Sequence, residues 1–104
     1  MPQVLEREGL PLETDRDLDP LIEAIGDKRF VFLGEASHGT HEYYTWRARL
    51  SKRLIEEKGF HFIAMEGDWP DCYQINKYIK GFHDAATSPV DIVKHFKVRP
   101  CVWC

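Results

Sequence analysis

Two short apolar runs flank one long amphipathic stretch, and that arrangement constrains this chain more than any other feature. The runs are "RFVFL", Arg29 to Leu33, and "FHFIAM", Phe60 to Met65. Each is β-prone and nearly continuous in apolar character, which suits a strand covered on both faces. The stretch between them reads as a helix from Thr40 to Lys58, with Thr40 as N-cap, Glu42 in the first turn and Lys58 with Gly59 at the close. Tyr43, Leu50 and Leu54 line its apolar stripe, Arg47 falls in the middle of that stripe, and Arg49 and Arg53 point toward the opposite face. Strand, helix and strand make a βαβ unit, whose strands are parallel and joined by a right-handed crossover.

Upstream, Leu18, Leu21, Ile22 and Ile25 recur at helical spacing, with Asp15 or Asp17 as cap, Pro20 early and Gly26 at the stop. Downstream, the pattern predicts a helix over Pro70 to Lys80 ending at Gly81, then another opened by Ser88 as cap and Pro89 in first position. The expected fold is therefore α/β: the opening βαβα portion of a parallel sheet covered by helices.

A length of 104 residues sets the ceiling at one domain. Residues 1–16 read mostly as an irregular lead-in. The apolar fraction of 43% and charged fraction of 30% are those of an ordinary globular protein, and no run approaches the roughly 18 apolar residues of a membrane helix. Nothing at the start marks the chain for secretion, so a cytoplasmic location is expected. The net charge of −3, with both signs interspersed, offers no basic face for nucleic acid. Three cysteines argue against a disulfide framework, and the C-x-x-C of Cys101 and Cys104 lacks a second ligand pair or a flanking strand and helix.

In a parallel α/β sheet the site lies outside the carboxyl ends of the strands. "GEASHG" follows the first run and "EGD" the second, which puts Glu35 and Glu66 at one edge. Carboxylates on neighbouring strands repel unless a cation intervenes, and a guanidinium on an apolar stripe needs an anion. Arg47 between Glu35 and Glu66 meets both needs. His38, its tautomer held by an acid, suits general-base work on a water. Gly34 and Gly39 are expected to supply backbone turns, and Gly39 precedes a helix N-terminus.

Rival chemistries are weaker on spacing. Ser37 is one residue out of register for the G-x-S-x-G elbow, and a phosphate loop lacks its lysine. Glu35, His38, His41 and Glu66 include metal-ligand types without a strong ligand motif, so a non-enzymatic or metal-dependent small-ligand or metal-binding module is the alternative. His41 and Glu42 read as first-turn surface residues, Trp69 with Pro70 as core cover or pocket wall, and Asp68 as a cap or a site residue.

The segment "FLGEASHGTHEYYTWRARLSKRLIEEKGFHFIAMEGDWPD" closely resembles the erythromycin esterase family, and the likeness extends to about "IVKHF". The resemblance implies a hydrolase of small-molecule esters or macrolide lactones that needs no metal or other cofactor. In it a histidine matching His38 activates water, and acids matching Glu35 and Glu66, with an arginine matching Arg47, organise the site. The family's wider relatives include metal-dependent and haem-binding proteins. Members are several times longer, with a helical insertion and a second catalytic histidine. The resemblance thus implies an N-terminal portion, inactive alone; so few strands also leave open sheet edges, through which self-association is expected. The ending "KVRPCVWC", residues 97–104, departs from the family pattern, as a truncated or frame-shifted product would.

Overall fold

Apolar spacing at the start of the chain builds a short helix against a long one. A computed structural model describes residues 9–82, 88–94 and 96. They fall into two compact units, one ending at His61 and the other beginning at Phe62.

In the first unit a 3-10 turn, Asp15–Leu18, leads into α1, Asp19–Ile25, which ends at Gly26 with a φ of 53°. The entry is tied by Asp17, whose Oδ2 accepts the Thr14 N–H at 2.7 Å, the Glu13 N–H at 2.9 Å and the Thr14 hydroxyl at 3.0 Å. The Thr14 backbone bond, followed by that from Glu13, holds the Asp17 carboxyl below the usual carboxylate range. Leu18, Ile22 and Ile25 are buried while Leu21 is exposed, so the apolar stripe is narrower than the spacing predicts.

The long helix α2 is His41–Lys58, with Thr40 as N-cap. It stops because Gly59 takes the left-handed conformation at a φ of 73°, letting the Gly59 and Phe60 N–H groups both reach the Leu54 carbonyl. Leu50 and Leu54, one turn apart, complete the core with Leu18, Ile22 and Ile25, and Val31, Leu33, Trp46 and Phe60 pack around it. Tyr43 is exposed instead of lying on the buried stripe. Arg53, expected on the opposite face, instead clamps the two helices. It donates to the Asp15 carbonyl at 2.8 Å, pairs with Asp19 Oδ1 at 2.7 Å and grips Glu57 at 2.6 and 3.0 Å.

The sheet expected from the two apolar runs is not formed: among the described residues there is no strand, and the architecture is helical. A strand requires a ladder partner and cover on its faces. The first run has cover on one side only, with Val31 and Leu33 against the core while Phe30 and Phe32 are 75% and 92% exposed. In the second, Phe62, Ile63 and Met65 are all exposed. The α/β reading, its βαβ crossover and its open sheet edges are corrected accordingly. Apolar character was read as burial on two faces, whereas the helices cover one face of the first run.

In the second unit α3, Trp69–Ile79, has Asp68 as N-cap, Pro70 in its first turn and Gly81 just past its end at a φ of 67°. The helix α4, Pro89–Lys94, is opened by Ser88, whose hydroxyl accepts the Val90 N–H at 3.2 Å. The two pack together and bury Ile92 and the stem of Lys77, whose ammonium lies 5.7 Å from the Tyr73 ring centre. No helix among the described residues is long and apolar enough to cross a membrane. The first eight residues of the lead-in and the tail with Cys101 and Cys104 lie outside the described residues.

Candidate functional site

Burial alternates residue by residue from Phe30 to Ala36, with Val31, Leu33 and Glu35 turned inward and the residues between them exposed. That period of two delivers Glu35 to the side on which Val31 and Leu33 meet the core. The Glu35 side chain is only 17% exposed; the loop after it supplies His38 as a partner and the first turns of α2 supply Tyr44 and Arg47.

Both carboxylate oxygens are engaged. Arg47 Nη1 donates to Glu35 Oε2 at 2.5 Å. Oε1 lies 2.6 Å from His38 Nδ1 and accepts the Tyr44 hydroxyl at 3.1 Å. The Tyr44 oxygen is itself 3.3 Å from His38 Nδ1, and the Arg47 guanidinium carbon lies 5.8 Å from the Tyr44 ring centre. Burial pushes the Tyr44 phenol up, the bond to Glu35 and its charge add to this, and Arg47 opposes it. The phenol therefore stays protonated and donates at neutral pH. A proton carried on Nδ1 would be given to Glu35, which would leave Nε2 as the ring nitrogen with a free lone pair.

Glu35, His38 and Arg47 are thus brought together within the first unit. Glu66 belongs to the second, exposed just before the bend at Gly67. Tyr44 was missed in the sequence. Its signal was its place three residues before Arg47, which puts both on one helix face.

The other candidates take local roles. The Ser37 hydroxyl accepts the Gly39 N–H at 3.1 Å, closing a tight turn. Gly39 lies in that turn, as expected, and neither it nor Gly34 takes a positive φ. His41 Nε2 lies 3.1 Å from the Thr45 hydroxyl on its own helix. Asp68 occupies the N-cap position of α3 without a side-chain capping bond, and Trp69 is exposed against Tyr73, with ring centres 5.7 Å apart. Among the described residues no three His, Cys, Asp or Glu side chains are grouped to hold a metal ion.

Comparison with known proteins bears on residues in both units. Residues 55–103 match the family model described as erythromycin esterase. YbfO of Bacillus subtilis (strain 168), a hydrolase by name, is 37% identical over 71 residues, covering 64% of this chain and 16% of the relative. The erythromycin esterase type II of Escherichia coli is 40% identical over 65 residues, covering 62% of this chain and 16% of the relative. No solved structure matches. The matched part of the chain spans about a sixth of these relatives' length. Over part of its length, the chain is a distant homologue of the erythromycin esterase family.

Proposed function

We propose that the chain carries part of the site of an ester hydrolase acting on a small-molecule ester or lactone, with His38 as the base that activates water. The observation that carries this reading is the 2.6 Å approach of His38 Nδ1 to Glu35 Oε1, with Arg47 on the other carboxylate oxygen. The kinship with an esterase family supports the reaction class.

In the proposed step, Nε2 takes a proton from water as the oxygen adds to the carbonyl carbon. The tetrahedral intermediate expels the alkoxide, and the Nε2 proton goes to that leaving oxygen, regenerating the base. Glu35 neither gains nor loses a proton; its charge favours the transient imidazolium. Arg47 is proposed as the cation that holds Glu35 in place.

The test is a chimera in which this chain replaces the matching segment of the Escherichia coli relative. Lactone opening of erythromycin should persist in the presence of chelator. His38→Ala should lower kcat by ~10²- to 10⁴-fold, as loss of a general base does. Turnover unchanged by His38→Ala removes His38 from the mechanism.

A further inference from the structure

We infer that Tyr44 is a positioning residue that, acting through Glu35, keeps the His38 proton on Nδ1. The inference deepens the reading above and rests on His38 being the base. A glutamate's terminal torsion is broad, so a carboxylate held at one oxygen is free to rock about it. Arg47 holds Oε2 through a single nitrogen and not through a two-pronged fork. The Tyr44 hydroxyl holds Oε1. Because Tyr44 and Arg47 sit three residues apart on α2, one rigid helix fixes both donors.

The hydrogen inventory then decides the tautomer. Tyr44 has one hydroxyl hydrogen, and with that hydrogen given to Glu35 its oxygen can only accept from His38. Nδ1 therefore faces two acceptors, Glu35 Oε1 at 2.6 Å and Tyr44 at 3.3 Å. A proton on Nδ1 satisfies both; a lone pair there opposes Oε1 and is met by Tyr44 only if the hydroxyl hydrogen leaves Glu35. Without the hydroxyl, one acceptor is lost and the other loses its restraint.

The experiment is long-range ¹H–¹⁵N correlation of the imidazole rings in the labelled 104-residue chain, with the His38 signals identified by their loss in His38→Ala. The wild-type chain should hold His38 mainly as the Nδ1–H tautomer, against the Nε2–H preference of a free imidazole. Tyr44→Phe should raise the Nε2–H to Nδ1–H ratio about 3- to 10-fold, the change that losing one net hydrogen bond gives. Tyr44→Met, also lacking the hydroxyl but well suited to a helix, should do the same, while Tyr43→Phe should leave the ratio unchanged. An unchanged ratio in either hydroxyl-free variant with wild-type helical circular dichroism overturns the inference. So does a wild-type ratio equal to that of free imidazole. An inactive chimera with the expected tautomer shift would reject the esterase reading and leave the positioning role standing.

Discussion

Replacing Glu35 and Arg47 by alanine, singly and together, isolates the contact on which the proposed site is built. Alanine makes no new polar contact at either place, so the double-mutant cycle reports the pair itself. The magnitude follows from exposure. A fully sheltered charge-assisted hydrogen bond contributes about 1.5–3 kcal/mol, whereas a solvent-exposed ion pair contributes about 0.2–1 kcal/mol. Glu35 is largely sheltered, at 17% exposure, while Arg47 retains 40% of its side-chain surface. The coupling should therefore fall between the two ranges, at about 1 kcal/mol. The assay is urea unfolding followed by far-ultraviolet circular dichroism, which reads α2. With an m-value of about 1–2 kcal/mol/M, that coupling displaces the midpoint by about 0.5–1 M from additivity. A coupling below about 0.3 kcal/mol, the ordinary scatter of independent sites, would show that the pair is not formed in solution.

Gly59→Ala should destabilise the first unit by about 1–2 kcal/mol in the same assay, because an L side chain at its left-handed φ of 73° is strained; no loss would deny the helix stop. Asp17 has a folded carboxyl below its unfolded value, so its stabilisation is present above about pH 4 and is lost as pH falls through the depressed value. Asp17→Asn should remove that part of the acid-side decline in urea midpoint between about pH 4 and pH 2, and an identical decline in both proteins would contradict the capping role. Phe32→Lys, at a side chain 92% exposed, should change stability by less than about 0.5 kcal/mol while reducing binding of an apolar-surface dye. Unchanged dye binding would mean that Phe32 is covered in solution.

The helices were legible because their ends carry local chemistry. Gly59, Ser88 and Gly81 are a stop, a cap and a stop whose effects depend on neighbours within one turn, whereas Thr40 holds the N-cap position of α2 without a side-chain capping bond. The runs at Arg29 to Leu33 and Phe60 to Met65 were misread as strands because pairing is a property of two segments and no single segment records its partner. Apolar content alone does not say how many faces are covered: Phe32 is as hydrophobic as Leu33, yet only Leu33 meets the core. The pairing of Arg47 with Glu35 was legible from charge logic, since a guanidinium near an apolar stripe needs an anion, and the approach of His38 from its place beside that acid. Tyr44 escaped because an aromatic next to Tyr43 on a helix reads first as packing, and its role lies in one oxygen atom.

The division of labour between the two Glu35 oxygens makes glutamine at position 35 an inversion instead of a mere neutralisation. An amide has the same shape but one acceptor and one donor end. Arg47 can be served only by the oxygen, which turns the amide NH₂ toward Tyr44 and His38. Facing a donor, Nδ1 must present its lone pair, and the imidazole proton moves to Nε2. The nitrogen that would receive a proton from water would then already carry one. On the proposed reading of His38, position 35 would act as a polarity key for the ring beside it: a carboxylate would leave the outer nitrogen basic, and its nearest isostere would reverse the ring.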